Sequence, residues 1–501
     1  MASPENLTWD FLKNVADALD SYRVRAFIDS RNEIIDTGIY TEAQYDGILS
    51  AMVKNEIAKY SLYNFLKIHS PPNLALLQQY SKEQKITLTE TLAQLELLKY
   101  ERLLKVEFQY QTETNSESET SNISQQLKLK EVIIELNDIT PRSTRTIYES
   151  VKAVYESKNC SGCALCAGIC PVNCLHVYNG FGKIDEEKCI RCGLCYYFCP
   201  RTFLPVDILS LYQEGNDQIR QNPPLGHYLE AYSARSKIPE IKDSCQDGGI
   251  SSTCLYYLFD QHLINLAFGA KMSNTLWRPE PFQITKKEDI LKTAGTKYVN
   301  NPTLSLLNQN NSSIHKIAIV GVPCMMQALL KSKIYDNEIP SLTQVEYRIG
   351  IFCMESFSYE AFTKICKLLN VPIDNVKKTD INKGKFFVHT VSGEDLSIPI
   401  KDITHLARED CKVCYDLTSE SADISIGSIG SPSGWNTVLI RTKKGKQLFE
   451  ALKINQLIEV KDFAEVKPGL PTLEKTALSK KTKCFDHIEA KRKDNKLIPH
   501  Y

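Results

Sequence analysis

Nine cysteines fall within residues 160–199, in two runs with one internal spacing. The first is Cys160-x2-Cys163-x2-Cys166-x3-Cys170-Pro171 and the second is Cys189-x2-Cys192-x2-Cys195-x3-Cys199-Pro200. Three thiolates at x2 spacing wrap one face of an iron–sulfur cubane, while the fourth, held by the turn at the following proline, points to the neighbouring cluster. The expected ligand sets therefore interlock: Cys160, Cys163, Cys166 and Cys199 for one 4Fe-4S cluster, and Cys189, Cys192, Cys195 and Cys170 for a second. The competing reading is a pair of four-cysteine zinc sites, but these do not require a duplicated three-plus-one spacing with proline after each fourth cysteine. Cys174 lies outside the pattern and reads as a small buried apolar side chain.

The segment 155–205 resembles a two-cluster bacterial ferredoxin, which implies a pseudo-symmetric βαββαβ fold that carries single electrons. The rest of the chain must position it. At 501 residues the chain is long enough for two to four domains. Lys plus Arg and Asp plus Glu balance at 60 each, so no whole-chain field recruits nucleic acid or an anionic membrane. The start, MASPENLTWD, lacks the basic and apolar regions of a secretory signal, and no run of about 18 apolar residues suits a bilayer span. A cytoplasmic location is expected. There, seventeen cysteines argue for metal ligation over disulfides.

Upstream of the cysteines, QTETNSESETSNISQQ (111–126) holds one apolar residue and reads as a linker. Before it, 57–70 and 71–83 have helical spacing, and 87–110 reads as a third helix running into a strand, with Thr87 and Glu90 as a capping box. Three helices followed by a two-stranded wing look like a winged helix-turn-helix. Its charge opposes DNA reading: from 56 to 110 there are seven basic and six acidic residues, and the recognition-helix position carries Glu90 and Glu96. Docking of a protein partner is the expected role. Residues 1–55 add a short amphipathic helix at 9–19.

After the ferredoxin, short apolar runs at 262–271, 315–324, 346–353 and 422–430 alternate with helical stretches at 250–261, 324–332 and 358–370. A further strand and helix follow at 435–452. This is the pattern of an α/β domain around a largely parallel sheet, whose ligands sit at the carboxyl ends of the strands. Cys324 and Cys353 each end such a run, and Cys411 and Cys414 form a CxxC just before another. If the first two strands are parallel neighbours, all four sulfurs can meet at one sheet edge. Alone, such cysteines are as readily core filler, and a CxxC is as readily redox or zinc. Cys245, Cys254, Cys366 and Cys484 read as structural. The glycine turns QDGGISST (246–253), AGTKYVNNP (294–302) and VGVPC (320–324) offer backbone N–H groups to a phosphate, or serve only tight turns.

Taken in order, CQDGG, AGTKY, IAIVGVPCMMQALL, IGIFCMESF, CKVCYDLTSESADISIGSIG and GWNTVLIRT resemble the coenzyme F420 hydrogenase/dehydrogenase beta-subunit family over about 155–455. The resemblance implies one FAD, a third 4Fe-4S cluster on Cys324, Cys353, Cys411 and Cys414, and hydride exchange with the deazaflavin coenzyme F420 as substrate. FAD contacts carry over to Gly248, Gly249, Ser252, Lys297 and Gly321, with Tyr298 and Pro323 beside them. No catalytic acid or base is implied: a flavin takes paired electrons on one side and releases them singly on the other.

The expected architecture is a multidomain α/β and α+β chain. It comprises a winged-helix-like docking domain (1–110), a linker (111–154), the two-cluster ferredoxin (155–205), a FAD/F420 α/β domain (206–470) and a C-terminal tail (471–501). Removing the extension before residue 127 is expected to spare dye-linked turnover. The expected partner is a ferredoxin or a subunit of CO dehydrogenase, hydrogenase or heterodisulfide reductase type, in a hetero-oligomeric complex without nucleic acid or a transmembrane segment. Two other readings stand beside this one. One is an iron–sulfur redox sensor reading DNA through the winged helix. The other is an oxidoreductase passing electrons to sulfite or an amidotransfer-linked reductase, which would need a further catalytic domain.

Overall fold

The computed structural model describes residues 28–29, 31–36, 41–69, 72–100, 103–113, 126–137, 151–214, 218–220, 224–273, 277–309, 315–335, 339–494 and 496–501. The helix expected at 9–19 and most of the polar linker lie outside these residues.

Among the described residues the N-terminal unit forms a short helix, Arg31–Asp36, then three longer helices and a hairpin. A capping box between Thr41 and Gln44 opens α1 (Glu42–Ile68). The Asn73 side chain caps α2 (Leu74–Gln84). The Thr87–Glu90 box closes in both directions at the start of α3 (Leu88–Tyr100), with Glu90 N–H donating to Thr87 Oγ1 at 3.1 Å and Thr87 N–H to Glu90 Oε2 at 2.6 Å. Strands β1 (Leu104–Glu113) and β2 (Gln126–Leu136) then pair antiparallel.

The third helix is turned inward. Leu92, Ala93, Leu95, Leu97 and Leu98 are buried, and so is Glu96. Besides α1, the helix packs on α4 (Val206–Glu214) and on α6 (Pro323–Tyr335), both from beyond the cysteine runs. Tyr100 stacks on Phe203 with ring centroids 4.2 Å apart, and its hydroxyl bonds that of Tyr196. Asn55 adds a bond to the Tyr335 carbonyl at 2.7 Å. The helix expected to present a face to an outside partner or to DNA is thus occupied by the chain's own core.

In the cysteine-rich segment the two runs form matching one-turn helices, Leu165–Gly168 and Leu194–Tyr197, each entered through a left-handed residue, Ala164 and Gly193. Between them β3 (Leu175–Tyr178) and β4 (Phe181–Ile184) make an antiparallel hairpin. The outer strands of the expected βαββαβ order are not formed among the described residues. Where the last of them would lie, Phe203 instead bridges His500, and Leu204 N–H donates to His500 O at 2.6 Å.

Downstream strands follow in chain order. They are β5 (Gln218–Arg220), β6 (Glu230–Ser236), β7 (Leu266–Met272), β8 (Pro279–Ile284), β9 (Ile317–Gly321), β10 (Val345–Ile351), β11 (Val376–Asn382), β12 (Lys385–Thr390), β13 (Asp395–Pro399), β14 (Ile424–Gly427), β15 (Asn436–Ile440) and β16 (Ile458–Asp462). Eight of them form one sheet in the order β16-β6-β15-β14-β10-β9-β7-β8. Its centre, β14-β10-β9-β7, is parallel and its flanks are antiparallel, so five strands run the same way. The central strands read as continuous apolar runs because both faces are covered. One face carries α5 (Ile250–Asp260) and α8 (Lys443–Ile454), whose Leu255, Leu258, Leu448 and Phe449 pack under Ile349, Ile424 and Val438. A separate antiparallel sheet, β11-β12-β13, packs with α7 (Tyr359–Leu368) around Phe362, Phe386 and Val388.

The expected C-terminal tail is a 25-residue helix, α9 (Gly469–Lys493). It buries Lys480, Cys484, Ile488 and Lys491 against the rest of the chain. No helix of the described residues is long and apolar enough to cross a membrane.

Candidate functional site

Strands β9 and β10 are parallel neighbours with Gly321 in register with Gly350. The chain therefore leaves both at the same sheet edge. Cys353 follows β10 by two residues, and Cys324 enters the first turn of α6 instead of ending its strand. Cys411 and Cys414 sit in and just after a 3-10 turn, Glu409–Val413. Burial pushes the Cys353 thiol up to about 11, and the charge of Cys414 adds to it. Cys411 is raised by burial, then by Asp410 and Cys353. Cys324 is raised by burial, then by Cys163 and Cys414. These four sulfurs share one electrostatic neighbourhood, and Cys324 reaches from it to the first cysteine run.

Within the two runs the thiols lie within electrostatic reach of one another. Burial is the first cause of the raised thiols at Cys160, Cys166, Cys195 and Cys199. The next contributions come from Cys199 and Cys163 at Cys160, from Cys163 and Cys160 at Cys166, and from Cys163 at Cys199. At Cys195 they come from Cys192, Cys170 and Cys189. Cys166 and Cys195 also adjoin, since the charge of Cys195 is felt at Cys166.

Cys174 is buried, as expected of core filler, but its Sγ lies 3.5 Å from that of Cys170 and it also hydrogen-bonds Cys189. That bond holds the Cys189 thiol down at about 6. Among the described residues no three His, Cys, Asp or Glu side chains are grouped as they would be around a bound metal ion.

The surroundings of the thiols fit anionic clusters. Backbone N–H groups of Gly162, Arg201 and Ser356 donate to the sulfurs of Cys160, Cys199 and Cys411, each at 3.4 Å. Four buried basic side chains stand among the sets; burial pulls Lys331 well below its ordinary value, while, against burial, neighbouring acidic groups hold Arg201, Arg408 and Lys480 charged. Lys331 Nζ donates to Cys199 O at 2.9 Å and lies 3.5 Å from the Phe203 ring centre. Arg408 bonds the carbonyls of Cys160 and Gly180 and pairs with Asp410 at 2.9 Å. Lys480 donates to Cys353 O and Asp416 O, at 2.5 and 2.8 Å. Arg201 is 1 % exposed. A buried cation costs several kcal/mol unless an anion answers it. Carboxylates answer only part of this charge, and thiolate-ligated cubanes, which are net negative, would answer the rest. Spacing rules could not have found these cations. The one sequence signal is a lysine inside the apolar run CMMQALLKS.

The residues expected at FAD fall into two kinds. Gly248 and Gly249 begin α5, where a Cβ at Gly248 would lie 2.5 Å from Ala234 O and one at Gly249 2.7 Å from Ile241; Gly249 also has a φ of 71°. Gly321 is likewise closed in by Met325 and Met326, and Pro323 opens α6. Packing of the chain itself explains these glycines. Ser252 is buried, and the first α5 amide, Ile250 N–H, is taken by Asn436 Oδ1 at 3.2 Å.

The second turn is more open. Gly295, at a φ of 78°, has nothing within 4 Å of an added Cβ. Thr296 N–H joins this turn to the first through Gln246 Oε1 at 3.2 Å. Lys297 donates to the carbonyls of Thr293 and Ala294, and burial lowers it to about 8. Tyr298 meets Phe386 edge to face. Asn301, overlooked in the sequence, is 6 % exposed with neither amide atom hydrogen-bonded. Its neighbours Asn300 and Leu304 bond the carbonyls of Ser161 and Cys163, at 2.9 and 3.2 Å. An unanswered buried amide beside the first cysteine loop fits a bound heterocycle with donor and acceptor edges.

Residues 231–308 and 314–466 match the N-terminal and C-terminal parts of the coenzyme F420 hydrogenase/dehydrogenase beta subunit, and residues 183–202 match the 4Fe-4S binding domain. The coenzyme F420 hydrogenase subunit beta of Methanosarcina barkeri is 37 % identical over 278 residues, which are 54 % of this chain and 95 % of the relative. A subunit of the F420H2 dehydrogenase of Methanosarcina mazei is 31 % identical over 361 residues, 69 % of this chain and 92 % of the relative. Among solved structures, a chain of the F420-reducing NiFe hydrogenase complex from Methanosarcina barkeri matches with a TM-score of 0.53 at 37 % identity, over 56 % of this chain and 98 % of that one. Containing nearly the whole of such a subunit, the chain belongs to the coenzyme F420 hydrogenase/dehydrogenase beta-subunit family.

Proposed function

We propose that the chain is an F420-dependent oxidoreductase subunit that exchanges a hydride with coenzyme F420 through FAD and passes the electrons singly, through three 4Fe-4S clusters, to or from a partner protein. The observation that carries this reading is the chain of thiol neighbourhoods. The set at the sheet edge lies within electrostatic reach of the first ferredoxin set, Cys163 being felt at Cys324, and that set lies within reach of the second, Cys195 being felt at Cys166. When bound, the flavin supplies the conversion between paired and single electrons. The chain's own residues do the rest. The twelve cysteines hold iron, the buried Arg and Lys side chains balance its charge, and the apolar core around the first two sets excludes water from them.

The donor or acceptor is a separate protein, a ferredoxin or a subunit of a larger complex. The DNA-reading alternative loses support from α3, whose buried face would have to leave α4 and α6 before entering a groove.

The test is anaerobic purification of the full chain with iron and flavin assays and a measurement of dye-linked loss of the reduced coenzyme. About twelve irons per chain, one flavin and turnover are expected; flavin-free protein, or far fewer irons, overturns the reading. A narrower prediction concerns Asn301. Asn301→Ala removes no chain hydrogen bond, so it should lower flavin content at unchanged iron content and melting temperature. Full flavin retention would show that the amide faces something else.

A further inference from the structure

Arg201 follows the last cysteine-proline pair and is among the largest fully buried side chains of the molecule. Its backbone N–H donates to Cys199 Sγ, which ties it to the first ferredoxin set. Its side chain faces the other way as well: the charged groups around the guanidinium include Cys324, Cys414 and Asp410, while Cys163 and Cys199 feel its charge in turn. Nη1 donates to Tyr501 Oη at 3.1 Å, and that hydroxyl donates to the carbonyl of Val413, between Cys411 and Cys414. Nε is buried with no hydrogen-bond partner among the described residues. The segment holding Tyr501 is itself fixed, because His500 N–H and O bond Thr202 O and Leu204 N–H at 3.1 and 2.6 Å. A full positive charge with an unused donor therefore stands between the sheet-edge set and the first ferredoxin set, clamped from both sides.

We propose that Arg201 is a positioning residue for electron transfer, an electrostatic bridge that stabilises the reduced state on both the Cys324/Cys353/Cys411/Cys414 side and the Cys160/Cys163/Cys166/Cys199 side and so keeps their potentials matched. One electron leaves one set and arrives at the other; the guanidinium stays protonated throughout and no proton moves. This rests on the reading of both sets as cluster ligands. A cation in a low-dielectric space lowers the cost of an added electron on each neighbour. Arg408 is also felt at Cys160 and Cys411, but it is paired with Asp410 at 2.9 Å. Lys331 bonds the Cys199 carbonyl and Lys480 those of Cys353 and Asp416, whereas Arg201, which makes no ion pair among the described residues, leaves its whole charge to two sets at once.

The test is an EPR-monitored redox titration of the full chain carrying Arg201→Met, with iron and flavin assayed first. At wild-type iron content, two of the three cluster potentials should fall, each by at least a tenfold change in the reduced-to-oxidised ratio, which is about 59 mV for one electron. The potential of the Cys170/Cys189/Cys192/Cys195 set should stay in place. Arg201→Lys, which keeps the charge, should restore most of both shifts. Three unchanged potentials at full iron content overturn the bridge while leaving the proposed function intact. A wild-type chain with far fewer than about twelve irons overturns both. If the methionine variant does not assemble, the lysine variant decides. Full iron with potentials near wild type supports the bridge, and iron lost from both variants assigns Arg201 a structural role alone.

Discussion

Replacing Cys353 with alanine is expected to reduce iron from about twelve to about eight per chain, to leave flavin bound, and to uncouple the two halves of the reaction. Exchange between the coenzyme and the flavin should persist in a single turnover, because the variant leaves the Gly295 turn and Asn301 untouched. Electron delivery to the ferredoxin half should fall to background, because the sheet-edge set is the one that reaches Cys163. Cys353 is the right probe for a structural reason. It lies outside the helix that carries Cys324 and the 3-10 turn that carries Cys411 and runs into Cys414, and its backbone N–H bonds Leu417 O at 2.9 Å whatever its side chain is. Lys480 remains on the residue 353 carbonyl, so the local fold keeps its clamp. The checks are iron and flavin content, rapid-mixing reduction of the flavin, and ferredoxin-set EPR signals after addition of reduced coenzyme. Retention of twelve irons, or ferredoxin-set reduction at the wild-type rate, would remove Cys353 from the path.

Much of this site could be read from the sequence because its chemistry is local in the chain. The x2, x2, x3 spacing says which thiol of a run is expected to cross to the other, and in the fold Cys163 is felt at Cys199 and Cys170 at Cys195. The sheet-edge set was harder, since Cys324, Cys353 and the CxxC meet only once β9, β10 and β14 lie side by side. Alternating apolar runs and helices made that topology expected. The flanking strands β6 and β16 are half-exposed and mixed in polarity, so periodicity did not reveal them.

What stayed hidden depends on contacts between distant residues. Arg201 next to Tyr501, and Lys480 on the Cys353 carbonyl, join positions hundreds or more than a hundred residues apart. The segment 471–501 reads as a tail, yet Lys480 and Lys491 of α9 are buried. The glycine pair at 248–249 was legible as a special turn. Its cause, tight packing on β6 and β15, looks the same in sequence as a phosphate cradle.

Deleting residues 1–150 should yield an aggregated, iron-depleted chain, which departs from the expectation that the extension is a detachable docking arm. The reason is where its apolar surface goes. Tyr45, Leu49, Leu92, Leu95 and Leu98 belong to the same continuous core as Leu165, Cys192, Leu194, Phe203 and Leu211. Burying each Leu or aromatic side chain is worth about 2 kcal/mol, so losing these five together is comparable to the whole net stability of an ordinary domain, about 5–15 kcal/mol. The exposed scar would also open the second ferredoxin set to water, since Tyr45 of α1 is a fully buried neighbour of Cys192. A milder variant separates loss of folding from loss of a partner. Tyr100→Phe keeps the stack on Phe203 but removes the hydroxyl pair with Tyr196, and should cost about 1 kcal/mol with iron and flavin unchanged. Light scattering, iron content and thermal unfolding of both proteins decide the matter. A truncated chain that is monodisperse with full iron would mean that α3 docks weakly in solution and that its face is free for an external partner after all.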